Sequence, residues 1–123
     1  MKVISFLNFK GGVGKTTSAH SIAAGLKMKG KKVLVIDMDP QGTLTFFSKG
    51  ERELNGDTRE ILFHEKTIGE AITNGEEFDF IGSNIKLATS ELLLNNGYNK
   101  EQKLKKAIDK MAKDYVYDFI LID

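Results

Sequence analysis

The sequence contains no cysteine and only one proline among its 123 residues. Without cysteine, the chain can form no disulfide bond, no cysteine-ligated zinc site and no iron–sulfur cluster. It also lacks an apolar run long enough to cross a membrane, and its first residues lead into a β-forming segment without the regions of a signal peptide. We therefore expect a soluble protein of the cytoplasm. Its 41% of hydrophobic residues can form the core of one domain.

The net charge of +1 does not by itself indicate a nucleic-acid partner. The charges are unevenly distributed, because the chain is basic up to Lys32, mostly acidic from Glu51 to Asp79, and basic again from Lys100 to Lys113. For the last segment, the simpler interpretation is a solvated helix face.

A glycine-rich segment follows the first β-forming run, residues 3–7, and leads into a helical pattern that begins near Lys15. Glycines allow consecutive backbone amides to surround an anion, and the positive end of the helix dipole adds to the attraction. Lys15 is expected to reach the β- and γ-phosphates of a nucleotide, and Thr16 to bind Mg²⁺. A simple turn between strand and helix is the alternative, which the three glycines, lysine and two threonines disfavour. The candidate binding residues are Lys10, Gly11, Gly12, Val13, Gly14, Lys15, Thr16 and Thr17.

The rest of the chain alternates between strand and helix patterns. The first helix should bury Ala19, Ile22, Ala23 and Leu26 and end at Gly30, before a continuous apolar strand at 33–37. Residues 43–66 give a weak signal and are expected to lie at the surface. A capping box at Thr67 predicts a short helix through Ile72, and residues 78–81 predict a third strand.

Two further helical patterns precede the end of the chain. The first includes Leu87 and Leu92, and the second, with a predicted cap at Asn99, has an apolar face that runs from Leu104 to Tyr115. A last apolar strand, residues 117–122, is followed by Asp123.

Carboxylates follow two of the predicted strands. Asp37 and Asp39 come at the end of the second strand, in the segment DMDPQG, and Asp123 follows the last one. Ligands of open α/β sheets bind beyond the carboxyl ends of the strands, where these side chains are expected. Taken alone, the DMDPQG segment is equally well explained as an ordinary turn, because Asp, Pro and Gly all favour turns.

KGGVGKTT, at 10–17, resembles the deviant Walker A loop of the ParA/MinD group of P-loop ATPases. The resemblance implies that Lys10 reaches across a dimer interface to the partner's nucleotide. Phe9 occupies a position where the standard phosphate-loop pattern has glycine. Partition-type members of the group often carry a residue other than glycine there. The nitrogenase iron protein shares this loop but needs cysteines, which are absent here.

DMDPQG resembles the family pattern DxDPQG, which favours the partition branch and implies that Asp39 orients the attacking water. Asp123 resembles the aspartate of a Walker B strand, which holds the Mg²⁺ shell, usually through water. Lys10, Lys15 and Asp39 are thus the implied catalytic residues, and Thr16 and Asp123 the implied metal-binding ones.

The resemblance implies an α/β fold of the P-loop NTPase type, with a mostly parallel sheet and helices on both faces. It also implies that residues 1–123 are the N-terminal portion of a single ATPase domain, truncated after the Walker B strand. Such a fragment alone is expected to lack ATPase activity, with Asp123 at a fraying terminus and part of the sheet exposed.

The implied function is a partition ATPase for plasmids or chromosomes. It would bind and hydrolyse Mg-ATP, form an ATP-dependent homodimer, and bind DNA non-specifically, at the nucleoid in the cytoplasm. A centromere-binding protein would be its partner. The alternatives are a MinD-like positioning ATPase with an amphipathic membrane helix further along the chain, and a non-catalytic fragment that binds only nucleotide or other subunits.

Overall fold

A computed structural model describes residues 1–94 and 100–123, so the predicted cap at Asn99 lies outside the described residues. The strands are β1 (Lys2–Ser5), β2 (Val33–Ile36), β3 (Thr73–Asn74), β4 (Asp79–Ile81) and β5 (Phe119–Ile122). The helices are α1 (Lys15–Met28), α2 (Thr43–Lys49), α3 (Thr58–Leu62), α4 (Ile68–Ala71), α5 (Lys86–Leu94) and α6 (Lys100–Met111). Strand order in the sheet is β1-β5-β2-β4-β3, and only the short β3 runs antiparallel to its neighbour. The predicted α/β fold with a mostly parallel sheet is confirmed.

The last strand, β5, lies inside the sheet and pairs with both β1 and β2. Successive side chains of a strand point to opposite faces, and β5 accordingly contributes to two separate cores. Ile120 packs with Leu34 and with the buried side of α6, whereas Leu121 packs with Val35 and with α1. Helices therefore cover both faces of the sheet, as predicted.

β1 forms one edge of the sheet, since in the described part of the chain it pairs with β5 alone. Val3 and Ile4, which point to opposite faces, are 47% and 37% exposed. The exposed part of the sheet is therefore this first strand, whereas Ile120 and Leu121 of β5 are fully buried.

Residues 43–66 are not simply surface, and the prediction for them was wrong. They form α2 and α3, which bury Leu44, Thr58, Ile61 and Leu62 against the two cores. α2 has 7 residues and α3 has 5, so neither is long enough to repeat the helical pattern of apolar residues that sequence analysis depends on. The prediction for Ile22 was also wrong, because this side chain of α1 is largely exposed.

Asp123 does not lie at a frayed terminus. Its amide donates to the carbonyl of Ile36 over 2.9 Å, and its carbonyl accepts from the amide of Met38 over 2.7 Å. Only 4% of the residue is exposed. The expectation of a frayed end was therefore wrong, because the β2–β5 ladder continues one residue beyond both strands.

Candidate nucleotide-binding site

The glycine-rich segment, residues 8–14 and hereafter the phosphate loop, joins β1 to α1. Gly12 and Gly14 have φ angles of 72° and 86°, in the left-handed region that favours glycine. No atom of the described residues lies within 4 Å of a Cβ built at either position. Backbone conformation, and not crowding by the protein, therefore requires glycine here. The loop is exposed throughout, and the Asn8 side chain accepts a hydrogen bond from the amide of Lys10 over 2.9 Å.

The N-terminus of α1 suits an anion. Its N-cap is Gly14, which has no side chain to accept the first-turn amides, and no acidic residue occupies that turn. The first amides of a helix need partners outside it, and the helix dipole favours a negative one. A phosphate group at this position would meet both requirements.

Lys15, the first residue of α1, forms an ion pair with Asp123 at the end of β5. Its ammonium lies 3.3 Å from Oδ1 of Asp123, with the lysine side chain 25% exposed and the aspartate side chain fully buried. Sequence analysis assigned Lys15 to phosphate alone and missed this pairing. The pairing follows from the strand order, because β5 lies beside β1 and its carboxyl end is therefore near the loop that follows β1.

Neither carboxylate oxygen of Asp123 accepts a hydrogen bond from the described part of the chain, although both are buried. A buried carboxylate without such donors is energetically costly unless a cation or water satisfies it. This environment fits a Mg²⁺ shell that is reached through water. Among residues 1–94 and 100–123, no three His, Cys, Asp or Glu side chains cluster as a metal site, so the protein offers Mg²⁺ few ligands. That is usual where phosphate oxygens and water supply most of the coordination.

Asp37, directly after β2, is fully buried and accepts three hydrogen bonds. Its Oδ2 accepts from the hydroxyl of Thr45 over 2.6 Å and from the Thr45 amide over 3.0 Å, and its Oδ1 accepts from the Asp39 amide over 3.0 Å. Burial raises the pKa of the Asp37 carboxyl above its usual value, and the hydrogen bonds from Thr45 and Asp39 oppose that rise.

Thr45 connects this carboxylate to the end of β4, since its hydroxyl also accepts from the amide of Ser83 over 2.8 Å. On the other side, the Thr58 hydroxyl donates to the carbonyl of Asp37 over 2.6 Å. Sequence analysis identified none of Thr45, Thr58 and Ser83. Their roles depend on contacts between residues far apart in the chain, for which a single sequence carries no signal.

Asp39 lies in the segment of residues 37–42, hereafter the aspartate loop, and is half-buried. Its Oδ1 accepts from the amide of Gln41 over 3.0 Å. This is the ordinary turn hydrogen bond that the sequence also allowed for. Within residues 1–94 and 100–123, no hydrogen bond is seen to the second oxygen of the same carboxylate.

One cavity of about 1150 Å³ brings together every residue that sequence analysis assigned to the site. That volume is sufficient for a nucleotide. The predicted residues that line it are Lys10, Gly11, Gly12, Val13, Gly14, Lys15, Thr16, Thr17, Asp39 and Asp123. The cavity continues along Val3 of β1 to Leu104 and Ile108 of α6.

A parallel sheet, a glycine-rich loop between β1 and α1, and carboxylates at the ends of β2 and β5 define an α/β domain of the P-loop NTPase type. The model of the AAA domain family matches residues 1–123, and the chain belongs to this family. Within the family it is a homologue of the Soj/ParA partition proteins.

The sporulation initiation inhibitor protein Soj of Bacillus subtilis is 36% identical over 125 residues, which are 99% of this chain and 49% of Soj. A plasmid partition protein of Borrelia burgdorferi superposes with a TM-score of 0.84 at 33% identity, covering 99% of this chain and 54% of that one. Cobyrinic acid a,c-diamide synthase of Mycobacterium smegmatis, with a bound ATP analogue and magnesium, gives a TM-score of 0.89 at 35% identity over 100% and 50% of the two chains. The chain thus spans about half the length of these relatives.

No helix in the described ranges is both long and apolar enough to span a membrane.

Proposed function

We propose that the protein binds Mg-ATP in this cavity and hydrolyses it as a partition ATPase. The observation that carries the proposal is the convergence of the phosphate loop, Asp39 and the buried Asp123 carboxylate on one cavity. The ATP analogue and magnesium in the M. smegmatis structure support the choice of ligand.

The side chains of the site divide the proposed reaction between phosphate binding, metal binding and orientation of the attacking water. Lys15, which forms an ion pair with Asp123, lies where it can reach the β- and γ-phosphates and offset their charge. The hydroxyl of Thr16 and the carboxylate of Asp123 would hold Mg²⁺, the latter through water. Bound Mg²⁺ supplies charge stabilisation at the transferring phosphoryl group. Asp39 uses its remaining carboxylate oxygen to orient the attacking water.

Lys10 completes the site in a dimer. Lys10 is exposed and lines the cavity, whereas the Lys15 side chain is partly buried and pairs with Asp123. An exposed lysine on a phosphate loop can reach a nucleotide held by a second copy. We therefore propose an ATP-dependent homodimer in which Lys10 acts on the partner's nucleotide.

The relatives support partition as the biological role, since the B. burgdorferi protein is a plasmid partition protein. Non-specific binding of the ATP-bound dimer to DNA, regulation by a centromere-binding protein, and a location at the nucleoid are the further parts of the proposal. An ATP-dependent gain of DNA binding, with none to vesicles of anionic lipid, would separate this role from membrane-based positioning.

The function is tested by titrating Mg-ATP into the protein at its natural length, by calorimetry, with phosphate release measured in parallel. Lys15→Ala should abolish binding, because the main positive charge beside the phosphates is lost. Lys27→Ala is the matched control, since Lys27 is an exposed lysine in the last turn of the same helix. Equal ATP affinity in the parent and Lys15→Ala would contradict the assignment of the phosphate loop.

A further inference from the structure

A buried hydrogen-bond network, which takes no part in the proposed chemistry, holds the backbone of the aspartate loop. Asp37 accepts from the amide of Asp39 on one oxygen and from the amide and hydroxyl of Thr45 on the other. The backbone of Asp39 and the start of α2 are therefore tied to the same carboxylate. Such a carboxylate, fully buried and satisfied by three donors, has little freedom to rotate.

α2 lacks a capping side chain of its own, because Gly42 occupies its N-cap position. The third amide of the helix, that of Thr45, donates instead to Asp37, which lies eight residues earlier in the chain. An acidic group at this position also complements the helix dipole. Asp37 thus takes the place of the N-cap side chain and fixes where α2 begins.

The other side of the loop is pinned by the end of β4. The Thr45 hydroxyl donates a hydrogen bond to Asp37 and accepts one from the amide of Ser83, which follows β4. Gly42 has a φ of 63°, and a Cβ built there would lie 2.9 Å from the Ser83 carbonyl oxygen. Residues 37–45 are therefore fixed against the sheet at both ends, with Asp39 between them.

We propose that Asp37 and Thr45 are positioning residues that hold the Asp39 carboxylate where it orients the attacking water. Neither lines the nucleotide cavity, so they act through the backbone of Asp39. The inference rests on the proposed ATPase function for its kinetic consequence, but the restraint on residues 37–45 is measurable without any activity.

Thr45→Val removes the hydroxyl at nearly constant volume and leaves the Ser83 amide without its acceptor. Turnover at saturating Mg-ATP should fall by about 10–100-fold, since misplacing a reacting group by an ångström costs that much. The dissociation constant for Mg-ATP should stay within about threefold, because the phosphate loop is untouched. Thr45→Ser retains the hydroxyl and should restore most of the turnover.

Thr73→Val is the matched control for lost stability. Thr73 is 4% exposed against 5% for Thr45, and its hydroxyl likewise accepts one backbone amide, that of Asn55. It does not line the cavity. This variant should show a similar loss of thermal stability and unchanged turnover. Equal losses of turnover in Thr45→Val and Thr73→Val, or in Thr45→Val and Thr45→Ser, would overturn the proposal.

Asp37→Asn supplies a second variant of the same shape. The new side-chain amide can keep its oxygen toward the Thr45 donors, but its NH₂ group then faces the backbone amide of Asp39, which is also a donor. The hydrogen bond from the Asp39 amide is therefore lost. Amide hydrogen exchange of a peptide covering residues 37–45 should then accelerate in Asp37→Asn and Thr45→Val but not in Thr45→Ser. Unchanged exchange in the first two would refute the restraint. A parent protein without ATP turnover would refute the proposed function instead, and exchange alone would then decide the positioning claim.

Discussion

The phosphate loop and the aspartate loop lie at the same edge of the sheet but are built in opposite ways. Residues 8–14 are all exposed, and the one side-chain hydrogen bond seen within the phosphate loop of the described structure is from the Lys10 amide to Asn8. By contrast, the aspartate loop begins at a fully buried carboxylate, and Gly42 is buried against Ser83. The phosphate loop has backbone amides that can donate to a ligand, whereas the amides of the aspartate loop already donate within the protein.

This difference suggests a division of function between the two loops. A loop with available amides and positive charge gains most of its hydrogen bonds when an anion binds, so it should determine affinity. A loop that is already fixed can hold a group in a constant orientation, which is a requirement of the chemical step. We therefore expect substitutions in the phosphate loop to affect nucleotide binding or, at Lys10, the reaction at the partner's nucleotide, and substitutions in the aspartate loop to affect turnover or folding.

Among substitutions in the phosphate loop, Lys10→Ala should show the largest effect, with a loss of turnover of about 10²–10³-fold. Binding of Mg-ATP to the monomer should remain nearly intact, since Lys15 and the loop amides are unchanged. Phosphate release and nucleotide affinity, measured on the same sample, check both parts.

Mixing Lys10→Ala with Asp39→Ala tests whether Lys10 acts across the dimer. In a mixed dimer one site would keep Asp39 from its own chain and Lys10 from the partner, so random exchange at equal amounts should restore about a quarter of parental turnover. If Lys10 acts within its own chain, both sites of every dimer are defective and no mixture recovers activity.

Gly42→Ala and Gly11→Ala compare the packing of the two loops directly. Alanine at 42 combines a left-handed backbone with a Cβ 2.9 Å from Ser83 oxygen, so the free energy of unfolding should fall by about 2 kcal/mol or more. At Gly11 no described atom lies within 4 Å and φ is not positive, so the change should stay within about 0.5 kcal/mol. Urea unfolding of both variants gives the two values, and equal losses would remove the contrast between the loops.

Asp123→Asn should have a smaller effect on turnover than Lys10→Ala, and a specific one. The amide keeps the volume of a buried side chain but loses the charge that faces Lys15 and the proposed metal shell. The Mg²⁺ concentration for half-maximal turnover should rise about tenfold, as for other groups that act through metal-bound water. Nucleotide affinity without Mg²⁺ should not fall, and a large fall there would mean that Asp123 supports the loop instead.

Much of this comparison could be predicted from the sequence, for identifiable reasons. The phosphate loop is a local feature, since its glycines, Lys15 and the helix start follow one another within eight residues, and the structure places them as expected. The parallel sheet was also predictable, because Val33–Ile36 and Phe119–Ile122 are continuous apolar runs. The strand–loop–helix order and the mostly parallel sheet are confirmed, whereas phosphate binding by the loop stays a proposal.

What the sequence could not supply depends on distant contacts. The ion pair of Lys15 with Asp123 joins residues near opposite ends of the chain. The hydrogen bonds that the Thr45 hydroxyl donates to Asp37 and accepts from Ser83 join three separate segments. α2 and α3 were mistaken for surface because short helices repeat no pattern. The sequence predicted that the Asp37 carboxylate lies at the edge of the sheet, and only the fold shows that this side chain is fully buried.

The most direct test of the division between the two loops is Asp39→Ala in the protein at its natural length, with binding and turnover measured together. We predict that Mg-ATP affinity stays within about threefold of the parent and that phosphate release falls by at least about 100-fold, because the water-orienting carboxylate acts only on the chemical step. Hydrolysis at the parental rate would make Asp39 an ordinary turn residue, and loss of ATP binding would contradict the assignment of affinity to the phosphate loop.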